Sequence, residues 1–144
     1  MGKVVAVCIS EKRDTKKTVV PFIDVRINYG ILGDAHAGDW HRQVSLLAVE
    51  SVDKMRNPFI NILPGDFAEN ILTQGVLLNN LPIGSIINVG DAKLKITQIG
   101  KKCHSDCEIK KLVGTCVMPS EGVFAEVIKE GRIKADDIIT VCGV

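Results

Sequence analysis

The chain holds 144 residues, 46% hydrophobic and 24% charged, which suits one folded domain with a sizeable core and excludes a disordered chain. A formal net charge of +1 excludes the broad basic surface of a general nucleic-acid binder. No apolar run approaches the ~20 residues that a spanning helix needs, and the chain turns polar at Ser10, too soon for a secretory leader. The expectation is therefore a cytoplasmic protein with neither nucleic-acid nor membrane partners, in a compartment where thiols stay reduced. Five cysteines are also an odd number, so they cannot all pair within one chain.

In chain order, Lys3 to Ile9 is a valine-rich strand candidate, and Val19 to Ile27 is a second, with Pro21 suiting a sheet edge. Gly30 to Leu46 is polar and glycine-rich. Ala48 to Arg56 (AVESVDKMR) is the best helix candidate. Pro64 to Gly75 looks like a loop that ends in an apolar run. Ala92 to Ile99 alternates cleanly, with Leu94, Ile96 and Gln98 on one face and Lys93, Lys95 and Thr97 on the other. A short helix is expected near Lys110 to Val113, then strands at Gly122 to Lys129 and Asp137 to Val141. "PIGSIINVGD" and "IKADDIITVCG" echo each other, each a turn followed by a four-residue strand. Glycine and proline turns between these runs predict one mainly-β domain over residues 1–144, with short helices, in a barrel or sandwich.

Three stretches carry chemistry. In "GILGDAHAGDWHRQVSL" (Gly30 to Leu46), backbone N–H groups and Arg42 suit an anion such as phosphate. Asp34, His36, Asp39 and His41 suit a hard or borderline metal instead, and plain turn geometry explains the same residues. In "PGDFAENILTQG" (Pro64 to Gly75), Asp66, Glu69 and Asn70 could do acid–base work, but such residues more often cap a turn.

The third stretch is "IGKKCHSDCEIKKLVGTC" (Ile99 to Cys116). Cys103, His104, Cys107 and Cys116 are zinc-ligand types, yet Cys103 and His104 are adjacent and would point to opposite faces of a strand. A reactive thiol fits better. Lys101, Lys102 and His104 would lower the Cys103 pKa from its free value of ~8.5, against Asp106 and Glu108. Cys107 could resolve an oxidised or persulfidated Cys103. Cys8 and Cys142 are expected to be core packing.

Four segments in one order, "GILGDAHAGDWHRQVSLL", "PGDFAENILTQG", "LPIGSIINVGDAKLKITQIGKKCH" and "CVMPSEGVFAEVIKEGRIKADDIITV", resemble a MOSC domain, named for the C-terminal domain of molybdenum cofactor sulfurases. The resemblance runs from about Lys3 to Val141 and implies a mainly-β MOSC-type barrel with one functional cysteine, at Cys103. Two roles follow from it. Cys103 carries persulfide sulfur from a pyridoxal-phosphate-dependent cysteine desulfurase to a molybdoenzyme or a cofactor-synthesis protein. Alternatively, Cys103 ligates the molybdenum of a bound pterin (molybdopterin) in a reductase of N-hydroxylated compounds. For such a molybdenum cofactor the binding candidates are Arg42 first, then Asp34 and Asn70, with Lys101 and Lys102 beside the cysteine. Lys102 stands where reductase members often carry proline, and so small a chain has little room for both pterin and substrate, which favours the carrier. A zinc- or thiol-based binding module on Cys103, Cys107 and Cys116 is the third reading.

Overall fold

β-branched residues fit a pleated, half-buried surface, and they fill roughly half of the strand positions. A computed structural model describes residues 2–13, 15–54, 62–100 and 121–143. In order the strands are β1 (Gly2–Ile9), β2 (Thr18–Val20), β3 (Ile23–Arg26), β4 (Gly30–Ile31) and β5 (Val44–Ala48). The helix α1 (Val49–Asp53) follows, then β6 (Ile71–Gln74), a 3₁₀ turn at Leu78–Asn80, β7 (Ile86–Val89) and β8 (Ala92–Ile99). Last come β9 (Val123–Lys129), β10 (Gly131–Ile133) and β11 (Ile138–Gly143).

The larger sheet runs β11-β7-β8-β9-β5-β6-β1-β2, and β11 also pairs with β1. That last pairing closes seven strands into a barrel, with β2 attached outside the ring. All its neighbours are antiparallel except β5 and β6, which run parallel (Leu46 opposite Ile71). A second sheet, β10-β3-β4, caps the barrel through Ile23, Val25, Ile31 and Ile133, all buried in the same core as Val44, Leu46, Leu94 and Ile96.

Outside the ring a second core gathers Ala6, Cys8, Leu47, Val52, Phe67, Leu72 and Phe124 under α1 and the 62–70 loop. Strand β5 lies between the two cores and is buried at every position. Its VSLLA sequence therefore shows no alternation, as expected for a strand covered on both faces.

The mainly-β barrel expectation holds. "PIGSIINVGD" and "IKADDIITVCG" supply β7 and β11, which are antiparallel neighbours (Ile87 opposite Val141). Other expectations are corrected. The Val19 to Ile27 run is two strands in different sheets, because Pro21 fixes φ and has no N–H to give a ladder. The helix is shorter than Ala48 to Arg56: its last helical residue is Asp53, and residues 55–61 lie outside the described residues. Gln98 is not a core-face residue, since the β8–β9 register shifts between Ile96 and Gln98 and leaves it half-exposed. Cys142 is exposed instead of packed in the core, whereas Cys8 is fully buried.

Candidate functional site

Three side-chain clusters gather around the Gly30 to Leu46 and Pro64 to Gly75 stretches. The first is a buried clasp. Lys17 Nζ donates to Asp34 Oδ1 at 2.7 Å, to Ser10 Oγ at 3.0 Å and to His36 Nδ1 at 3.2 Å, and the side chains of Lys17 and Asp34 are wholly buried. Asp34 also accepts the backbone N–H groups of Ser10 and His36, both at 3.1 Å. Burial alone would raise the Asp34 pKa; the adjoining His36, the Lys17 ammonium and the Ser10 N–H overcome it and hold the carboxyl well below the usual range.

The second cluster is the 64–70 loop. Asp66 Oδ2 accepts the Leu63 N–H (2.9 Å), and Glu69 accepts those of Gly65 (3.0 Å) and Phe67 (3.2 Å). Burial, which outweighs those two N–H bonds, pushes Glu69 up to about 7. Gly65 sits at φ 89°, and a Cβ there would collide with the Lys17 carbonyl oxygen, so only glycine lets this loop rest on the clasp. Asn70 is fully buried. Its Oδ1 accepts from the Ser45 N–H (2.9 Å) and hydroxyl (3.0 Å), and its Nδ2 donates to the Cys8 carbonyl (3.0 Å). Its side chain thus extends the parallel β5–β6 ladder one residue beyond its end.

The third cluster forms the rim. Gln43 Oε1 accepts the Val127 N–H (2.9 Å), fixing the end of the 32–43 loop to β9. On the other side of Arg42, His41 Nε2 meets Gln98 Oε1 at 2.8 Å, and the Thr97 hydroxyl donates to the His41 carbonyl. Arg42 is held between these anchors, half-buried, with Cζ 4.6 Å from the Trp40 ring centroid and 5.6 Å from that of Phe124. Trp40 Nε1 donates to the His36 carbonyl (2.8 Å), and the two rings lie parallel with centroids 6.5 Å apart. Gly100, which follows β8, donates its N–H to the carbonyl of Gly122, which precedes β9 (2.7 Å).

Of the residues expected at a site, Arg42 stands on the rim, Asp34 in the clasp and Asn70 under β5. Cys103, Lys101 and Lys102, with His104, Cys107 and Cys116, lie outside the described residues, as does the helix expected near Lys110. The metal alternative for the Gly30 to Leu46 loop finds no support among the described residues, where no three His, Cys, Asp or Glu side chains gather to hold an ion. Asp39 is exposed, and His41 turns to Gln98. Sequence reasoning missed Lys17 and Arg13, which sit in the charged run "EKRDTKK", and the platform role of Trp40. A lone tryptophan inside a polar glycine loop was the available signal.

Among the described residues the chemical inventory is a stacked guanidinium on the rim without an ion pair or hydrogen bond (Arg42), a buried thiol (Cys8) and an exposed one on β11 (Cys142), and the carboxylates of these clusters, Asp34, Asp66 and Glu69, which accept backbone N–H groups. Burial, with Glu69 nearby, pushes the Cys8 thiol up to about 12, so it is no nucleophile at neutral pH. No helix among the described residues is long and apolar enough to cross a membrane.

Comparison with known proteins adds the lineage. The MOSC domain family profile matches residues 33–140. YuaD from Bacillus subtilis superposes with a TM-score of 0.77 at 22% identity, covering 96% of this chain and 94% of that one. YiiM from Geobacillus stearothermophilus gives 0.71 at 16% identity, over 98% of this chain and 75% of that one. YiiM from Escherichia coli gives 0.68 at 18% identity, over 99% and 70%. These likenesses are of fold. No curated protein matches the chain significantly.

Proposed function

Because the chain belongs to the MOSC domain family, which is associated with molybdenum cofactor sulfurase-like proteins, we propose that it is a sulfur-carrying, cofactor-handling module of molybdenum cofactor metabolism. Cys103 is the working thiol in this reading. Supporting it is the rim: the stacked cation Arg42 is anchored through His41 to the end of β8, and the sequence runs from there through Gly100 to Cys103. Cys8, by contrast, is sealed in the outer core, which leaves sulfur chemistry to other thiols.

The step is a thiol exchange. The Cys103 thiolate attacks the outer sulfur of a donor persulfide, Enz–S–SH; the S–S bond breaks, Cys103 becomes Cys–S–SH and the donor leaves as its thiolate. No net oxidation occurs. The donor proposed is a pyridoxal-phosphate-dependent cysteine desulfurase, and the acceptor a molybdoenzyme or a cofactor-synthesis protein, in the cytoplasm, where thiols stay reduced.

The molybdenum cofactor itself would supply a metal–sulfur centre to which that sulfur is delivered. Among the described residues Arg42 fits its anionic group, since its guanidinium makes no ion pair or hydrogen bond there; Lys101 and Lys102 would add charge. Asp34 and Asn70 spend their polar atoms on the clasp and the β5–β6 ladder, so in this reading they support the rim from beneath.

The test is intact-mass spectrometry after incubation with a cysteine desulfurase and L-cysteine. One added sulfur atom, lost on treatment with dithiothreitol and absent from Cys103→Ser, is expected. A wild type that gains no sulfur, or a Cys103→Ser variant that gains it equally, refutes the carrier.

A further inference from the structure

Trp40 is the chain's one tryptophan, and two arginines from different loops lie over its ring. Arg13, on the loop between β1 and β2, has Cζ 4.8 Å from the indole centroid; Arg42, before β5, has Cζ 4.6 Å from it. Each contact is a favourable cation–π pair, yet together they hold two like charges on one ring. The charges stand no farther apart than those two distances end to end, on the order of a Debye length at physiological salt.

No carboxylate relieves this repulsion among the described residues. Asp34 is taken by Lys17, Asp66 faces Lys16, and Asp39, next to Trp40 in sequence, makes no ion pair. Among the described residues Arg13 has a single bond, from Nε to the Ala35 carbonyl at 3.4 Å, and Arg42 has none. Most of the N–H donors on two guanidinium forks are therefore without an acceptor among the described residues.

We propose that Arg13 and Arg42 form a two-pronged site on Trp40 for a dianionic oxyanion, the phosphate group of a phosphorylated small molecule. The inference rests on the part of the reading above that gives Arg42 an anionic ligand, and not on sulfur at Cys103. A guanidinium fork matches two oxygens at once. A phosphate monoester offers three oxygens and close to two charges, enough for two forks, whereas a carboxylate offers one edge and one charge. Arg13 lies ahead of the residues that the family profile matches, 33–140, and it would draw the β1–β2 loop onto the ligand.

Because Trp40 has no competitor, its emission reports on the site directly. Inorganic phosphate is titrated into the protein at constant ionic strength, with acetate and chloride as controls, and calorimetry is run in parallel. The expected result is saturable phosphate binding, a much weaker acetate response, and a loss of affinity of at least about tenfold in Arg13→Gln and in Arg42→Gln. Arg13→Lys, which keeps the charge but loses the fork, is expected to fall between. Arg13 is exposed, so its replacement leaves the core intact. No saturable binding by either method, equal affinity for acetate, or an Arg13→Gln titration that overlays the wild type overturns the proposal. Sulfur loading of Cys103 is assayed without phosphate, so the two readings fail separately.

Discussion

Replacing Asn70 by alanine separates a structural from a ligand-contacting role. In the wild type its carboxamide serves three groups: the Ser45 N–H, the Ser45 hydroxyl and the Cys8 carbonyl. The hydroxyl has a second acceptor in the Ala68 carbonyl at 3.2 Å and can turn to it. The Ser45 N–H and the Cys8 carbonyl then remain as buried polar groups without partners, each costing about 1–3 kcal/mol. Asn70→Ala should thus destabilise the protein by about 3 kcal/mol, a large share of the roughly 5–15 kcal/mol typical of a domain. Urea unfolding followed by circular dichroism measures it as a lower midpoint at unchanged slope. Asn70→Asp keeps the acceptor for Ser45 but sets an oxygen against the Cys8 carbonyl, and should be at least as unstable. An Asn70→Ala protein within about 1 kcal/mol of wild type would refute the ladder argument.

Other consequences are as direct. Glu69 titrates near 7 when folded and near 4.5 when unfolded, so the folded state holds its proton more tightly. Stability should fall by roughly 3 kcal/mol as pH rises from about 4.5 through 7, and Glu69→Gln should flatten that limb in pH-dependent melts. Asp34 has the opposite sign: its contribution is present above the unfolded carboxyl range and is lost only in strong acid. Lys17→Met strands the Asp34 carboxylate in the core and should cost about 3–5 kcal/mol by chemical denaturation, partly rescued by Asp34→Asn in the same chain. Native-state iodoacetamide labelling at pH 8 should leave Cys8 unmodified in peptide maps, and its early alkylation would contradict a pKa near 12.

Where one face of a strand met solvent, the pattern was legible: β8 was bounded correctly at Ala92 and Ile99 from alternation alone. Strand β5 was not, because Leu46 packs inside the barrel and Leu47 outside, and burial on both faces erases the period. Strands β4 and β10, two and three residues long, carry too few side chains to show any period. At the site, the capping roles of Asp66 and Glu69 followed from residue type, since short acidic chains in a turn seek nearby N–H groups. The clasp did not, because Lys17 and Asp34 are brought together only by the fold, and a lysine in a charged run reads as solvated until a carboxylate is found opposite it. The same holds for Arg13 and Arg42, whose meeting on Trp40 no spacing rule encodes.

The closing pair of the barrel also bears on how the chain reaches its native state. Strand β1 gives one edge to two partners: β2 from Val7 to Ile9, and β11 only at Gly2 and Lys3, with Val4 bonded to the turn at Asp136 and Asp137. The seam thus joins the two ends of the described chain, and its loop-closure entropy is met only when nearly everything between is ordered. Local hairpins such as β7–β8 can form early, while ring closure comes late. Amide hydrogens at Lys3, Val4 and Ile139 should then exchange ahead of those in the β8–β9 ladder, marking the seam as the place where the barrel first opens.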